Sequence, residues 1–225
     1  MTIQCAITYF DKESETIGYL IGSDARAGLQ EKSGELRTTT LEVSIDKSFL
    51  GENFVGFVKG TIKGNGGEKG SEKCLTRLRS LNNLFNDIYG GMNYSHIPLL
   101  AERSGCGLFI AKQSNDLLEL YRLSNFRNNS KTNVARILHQ VKPKMYYTAK
   151  KSMAWYGPDC SSQYFVLRAG ARLDAETAQK FLERVLTDTS LQQKEPDQMM
   201  PDYNQEATSI YQVSFQGISK IFRTK

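Results

Sequence analysis

Ile17-Gly18-Tyr19-Leu20-Ile21-Gly22-Ser23-Asp24-Ala25-Arg26-Ala27 is the stretch on which the reading of this chain turns. Its apolar part, residues 17–21, leads into an Asp-x-Arg triplet formed by Asp24 and Arg26. Upstream, residues 4–9 are again short and rich in apolar and β-branched side chains, and the polar residues 11–15 lie between the two runs. Two such runs joined by a polar turn predict a β-hairpin at the start of the sequence.

Further along, residues 39–45 alternate through Leu41, Val43 and Ile45, and residues 54–58 form a second apolar run across a loop at 47–52. The first quarter of the chain is therefore expected to be sheet. After the glycine-rich residues 60–70, Leu75, Leu78, Leu81, Leu84, Phe85 and Ile88 recur at spacings of three and four. That spacing predicts an amphipathic helix ending at Gly90-Gly91. Residues 108–111 and 117–123 flank the turn-forming Ser114-Asn115-Asp116, and 136–147 add a further strand.

Two helical patterns follow at 161–173 and 174–186, the second opened by Asp174, whose carboxylate can cap exposed amides. A polar loop at 192–204 contains Pro196 and Pro201, and residues 209–215 and 218–222 close the chain as a hairpin around Gln216-Gly217. The order is strands, helix, strands, two helices, strands. With no internal repeat or heptad, this order predicts a layered α+β sandwich, with helices stacked outside antiparallel sheets.

Composition narrows the function classes. A length of 225 residues at 40% hydrophobic content suits a single domain with one sizeable core. The net charge of +5 comes from mixed signs, not blocks, and makes nucleic acid an unlikely partner. Lys142, Lys144, Lys150 and Lys151, interleaved with Tyr146 and Tyr147, are read as a solvated strand edge guarded by lysines. A weaker alternative is a nucleic-acid surface. Cys5, Cys74, Cys106 and Cys160 have no C-x-x-C spacing, and no run reaches the roughly 18 apolar residues that cross a bilayer. The expectation is a soluble, cytoplasmic protein without a membrane partner. His96 and His139 are read as a loop residue and a half-buried strand residue, not as catalytic bases.

The run from Ile17 into Asp24-Ala25-Arg26 resembles the second strand of proteasome β-type subunits, members of the N-terminal-nucleophile (Ntn) hydrolases. Trp155-Tyr156-Gly157-Pro158-Asp159-Cys160-Ser161-Ser162-Gln163-Tyr164 stands where that family has a Gly-Ser-Gly-Ser-x-Tyr turn before two consecutive helices. Asp202-Tyr203 followed by Ser209-Ile210-Tyr211-Gln212-Val213 resembles the family's late Asp-containing loop and next strand. The resemblance rests on the shared order of these strings over most of the chain. It implies a four-layer αββα sandwich, two antiparallel sheets between helix layers, as a divergent family member.

It also implies a chemistry. Loss of Met1 would expose Thr2, whose hydroxyl is the implied nucleophile and whose α-amine, titrating near pH 7.7 to 8.0, is the implied base. Asp24 matches the family carboxylate near the nucleophile, and Arg26 the adjoining structural or polarising arginine. Gly60 falls where the family puts an oxyanion-binding backbone amide, a type of donor that contributes about 3 to 4 kcal/mol to catalysis. Asp202 and the Ser161-Ser162 pair map, within a register of one or two positions, to residues that organise the amine. The implied activity is threonine-type hydrolysis of a peptide or protein substrate inside a homo- or hetero-oligomeric ring, with no cofactor and no metal.

Two departures mark the match. The family has a lysine on its third strand, and in this alignment Thr40 occupies its place, with Lys32 and Arg37 the nearest cations. Arginine is too strongly protonated to shuttle a proton. The Gly-Ser-Gly-Ser turn is replaced by Asp159-Cys160-Ser161-Ser162. The competing expectation is a catalytically silent member kept as a structural or binding subunit.

Overall fold

The structure, a computed structural model, describes residues 4–24, 26–33, 36–44, 47–51, 53–58, 108–114, 116–124, 134–156, 171–187 and 209–221. The fold is α+β and dominated by antiparallel sheet, with one α-helix among the described residues. Strands β1 (Gln4–Asp11) and β2 (Thr16–Ser23) form the expected hairpin. Its turn is built by Asp11, whose carboxylate accepts hydrogen bonds from the Glu13 amide at 3.0 Å and the Ser14 hydroxyl at 2.6 Å. This is the local side-chain-to-backbone pattern that makes aspartate a turn former.

Strands β3 (Arg26–Ser33) and β4 (Leu36–Ser44) pair only with each other among the described strands, as a separate ribbon. Then come β5 (Ser48–Leu50), β6 (Phe54–Val58), β7 (Leu108–Gln113), β8 (Leu118–Ser124) and β9 (Val134–Val141). These five form one antiparallel sheet in sequence order. The chain continues through β10 (Ala154–Tyr156), helix α1 (Ala175–Thr187), β11 (Ser209–Ser214) and β12 (Gly217–Ile221). The other five-stranded sheet runs β10-β1-β2-β11-β12.

Burial explains the layering. Residues 4–10 of β1 are all buried, which requires cover on both faces of the strand. On one face Ala6, Phe10, Ile17, Tyr19 and Ile21 meet Val55, Phe57, Ala111, Leu118, Leu120 and Val141 of the second sheet. On the other, Cys5, Ile7, Tyr9 and Leu20 meet Ala178, Leu182, Val185 and Leu186 of α1. Those four helix positions recur at spacings of three and four, the apolar stripe of a helix lying on a sheet. Its start is capped as the sequence predicts: Asp174 Oδ1 accepts the Thr177 amide at 2.8 Å, and that bond holds the Asp174 carboxyl below its ordinary range.

Two glycines of β2 make room for neighbouring side chains, Gly18 for the Tyr9 ring opposite it on β1 and Gly22 for the helix. A Cβ on Gly18 would overlap the Tyr9 ring, and one on Gly22 would stand 2.8 Å from Leu186 Cδ1 and 3.1 Å from the Ser209 carbonyl oxygen. Only a hydrogen fits at either position.

The structure differs from the sequence reading in places. The expected loop at 47–52 contains β5, and its Lys47 is buried, 2% exposed. Neither β3 nor β10 is anticipated by the apolar pattern, because β3 mixes charged residues into its length and β10 is three residues long. The strand expected over 136–147 stops at Val141, since Pro143 offers no N–H and Lys144 turns left-handed at φ 69° before a single 3-10 turn at Met145–Tyr147. The four lysines of 142–151 are therefore exposed on a turn and not along a strand edge. The helices expected over 75–88 and through 161–170 lie outside the described residues, and residues 171–174 are not helical. Among the described residues no helix is long and apolar enough to cross a membrane.

Candidate functional site

At one end of the sandwich several strand ends meet. Strand β1 begins there with Gln4, which pairs with Ser23 at the end of β2, and Ser209 at the start of β11 pairs with the same Ser23. Strand β10 ends there with Tyr156 opposite Cys5. In the second sheet, Ser48 at the start of β5 pairs with Phe57 near the end of β6. Sheet ends of this kind usually face water, yet here the polar residues Gln4, Ser23, Asp24, Lys47, Ser48 and Ser209 are all buried.

At its centre is an ion pair. Lys47 Nζ donates to Asp24 Oδ1 at 3.1 Å, and both side chains are 1% exposed. Ser23 supports the turn with a 3.0 Å hydrogen bond from its hydroxyl to the Asp24 carbonyl. Withdrawing both charges from water costs several kcal/mol per ion, and well-packed apolar side chains in such a place are often as stable or more so. The pair is thus poorly explained by stability and well explained by chemistry. An ammonium fixed in a dry site beside a carboxylate can stabilise negative charge developing on a neighbouring oxygen, or exchange a proton with it.

Asp24 is accordingly in a buried, charge-paired setting. Arg26 opens β3 directly beyond it, with Ser44 as its register partner. Thr2, Gly60, Ser162 and Asp202 lie outside the described residues. Each does, however, adjoin in sequence a strand end at this same end of the molecule. Thr2 is two residues before Gln4, Gly60 two after Val58, Ser162 six after Tyr156, and Asp202 seven before Ser209.

The structure adds a lysine that the sequence reading does not name. Thr40 is not a partner position of Asp24: it is the extra residue of a β-bulge in the separate β3–β4 ribbon, between the register pairs Leu29↔Leu41 and Gln30↔Thr39. The ribbon lengthens the connection, so the cation that reaches Asp24 lies beyond it, at Lys47. The sequence carries a signal for it: Lys47-Ser48-Phe49-Leu50 ends in an apolar pair shortly before the apolar run of β6, as a short strand opening near a lysine would.

A second polar group lies between the sheets. Tyr19 of β2 shares a 2.8 Å hydrogen bond with His139 Nδ1 of β9, and the His139 ring lies against Trp155 of β10 with centroids 4.5 Å apart. Burial lowers the His139 pKa and raises that of the Tyr19 hydroxyl far above its ordinary range, with the Glu119 charge adding to the latter. Tyr19 therefore stays protonated beside a neutral His139, and the imidazole tautomer sets which of the two donates. This agrees with the reading of His139 as a half-buried strand residue. Among the described residues no group of three or more His, Cys, Asp or Glu side chains could hold a metal ion.

Comparison with known proteins adds no relative: no protein-family model matches the chain, and no curated protein matches it.

Proposed function

We propose that the chain is a proteasome-like N-terminal threonine peptidase or amidase subunit that hydrolyses peptide bonds within an oligomeric ring. The observation that carries this reading is the buried Asp24–Lys47 pair, at the end of the sandwich where β1 begins two residues after Thr2. A buried lysine beside the carboxylate that the resemblance to proteasome β-type subunits singles out favours an active member over a silent one.

In this reading Thr2, freed of Met1, attacks the substrate carbonyl through its hydroxyl while its α-amine takes the proton. The α-amine passes that proton to the departing amine as the peptide C–N bond breaks, and water then hydrolyses the ester left on Thr2. Lys47, oriented by Asp24, stabilises the oxygen during transfer. The Gly60 amide receives the oxyanion, Arg26 braces Asp24, and Ser162 and Asp202 orient the amine. The fold is the four-layer αββα sandwich that the resemblance implies. The ring shuts the nucleophile away from folded proteins, and the chain works in the cytoplasm without a cofactor.

Intact-mass measurement together with a fluorogenic peptide panel tests this. Loss of Met1 and turnover abolished by Thr2→Ala support it. Retained Met1 with turnover indifferent to Thr2→Ala overturns it in favour of a structural or binding role, and a monomer of about 25.4 kDa by light scattering overturns the ring.

A further inference from the structure

The ion pair spans two sheets, since Asp24 follows β2 of one and Lys47 precedes β5 of the other. Its 3.1 Å separation therefore depends on how the sheets are registered at this end. One residue beyond Lys47, the Ser48 hydroxyl lies 3.1 Å from the Tyr211 hydroxyl, in a buried position. Tyr211 belongs to β11, which is bonded to the strand that carries Asp24: Ser209 pairs with Ser23 and Tyr211 with Ile21. The path Asp24, β2, β11, Tyr211, Ser48, Lys47 thus closes a ring of backbone, ladder and side-chain bonds.

The Tyr211 ring is itself fixed. Phe57, the register partner of Ser48, meets it edge-on with centroids 6.0 Å apart, and the Lys220 ammonium lies 5.8 Å from its centroid. Tyr211 is 7% exposed. An aromatic ring packed in this way can direct its hydroxyl to one place between the sheets.

We propose that Tyr211 is a positioning residue for Lys47, acting through Ser48 to hold the ammonium on Asp24. This deepens the reading of Asp24 and Lys47 as site residues and rests on it for its catalytic consequence, but not for its structural one. Without the Tyr211 hydroxyl, β5 shifts against β11 and Lys47 samples positions away from Asp24 that solvent can reach.

Amine acetylation followed by peptide mapping tests it directly, comparing the wild-type chain with Tyr211→Phe, Ser48→Ala and the double variant under conditions where all remain folded. Each single variant should speed Lys47 acetylation about tenfold, the scale of one buried hydrogen bond, and the double variant no further. Lys180, exposed on α1, serves as the internal reference whose rate stays constant. Should Tyr211→Phe not fold, Ser48→Ala carries the same measurement. Unchanged Lys47 acetylation in the folded variants overturns the proposal. In the same proteins, kcat of Thr2-dependent turnover should fall about tenfold with KM unmoved and with an altered pH profile. Faster Lys47 acetylation in a protein without any Thr2-dependent turnover would sink the peptidase reading while leaving the positioning role intact.

Discussion

Lys47 Nζ stands 3.1 Å from Asp24 Oδ1 across the junction of the two sheets, with both side chains closed off from solvent. Truncating one partner leaves the other charged and buried, a change that costs about 3 to 5 kcal/mol. Lys47→Met and Asp24→Asn are each expected to lower stability on that scale. The double variant Asp24→Leu with Lys47→Met should recover most of the loss while abolishing any Thr2-dependent turnover. Denaturant unfolding beside a peptide assay separates the two effects, and single variants as stable as the wild type would contradict the buried pair.

Gly22 admits no side chain because Leu186 and the Ser209 carbonyl close over it. Gly22→Val should therefore cost about 1 to 3 kcal/mol through overpacking, in spite of the better strand propensity of valine. A thermal melt that shows an unchanged or raised midpoint would refute the close seating of α1 on β2.

Leu182 is fully buried between α1 and the first sheet. Leu182→Ala is expected to destabilise by about 2 to 5 kcal/mol, as for other large-to-small core changes. Exposed positions on the same helix offer the contrast: Glu176→Ala should change the unfolding midpoint only slightly, because the Glu176–Lys180 pair lies in water.

His139 gives the molecule a pH dependence. Its folded-state pKa is lowered by burial from an ordinary value of 6.5, so the unfolded chain binds the proton more readily. The associated stability is fully present above about pH 6.5 and is lost as pH falls through the lowered folded pKa. The urea midpoint should therefore decline on acidification below that value, and His139→Gln should flatten this part of the curve. An equal decline in the variant would assign the effect to other groups. Tyr19→Phe, which deletes the hydroxyl bonded to Nδ1, should lower stability by about 1 kcal/mol at neutral pH.

Much of this fold is legible in the chain because it is written in local periodicity. The β1–β2 hairpin, the β7–β8 and β11–β12 hairpins and the capped helix α1 each bring sequence neighbours together, so apolar runs, turn residues and the Asp174 cap specify them without distant help. Strands β3, β5 and β10 are harder to read. They are short or polar, so no apolar run marks them, and β10 is a strand only because a partner far away in sequence, Cys5 against Tyr156, pairs with it. The Asp24-Ala25-Arg26 string singles out Asp24, while nothing local in the sequence ties it to Lys47, the buried ammonium it meets.

The sequence by itself determined the β1–β2 hairpin, with Asp24 at its end, and the capped helix α1, since these follow from side-chain chemistry within a few residues. Only the tertiary structure decided which cation Asp24 meets. The β3–β4 ribbon separates Asp24 from Lys47 by 23 positions, and only its doubling back, with the stacking of β5 beside β11 through Ser48 and Tyr211, places the ammonium on the carboxylate. A buried charge is set by what surrounds it in space, and that surrounding is assembled from four strands of two sheets.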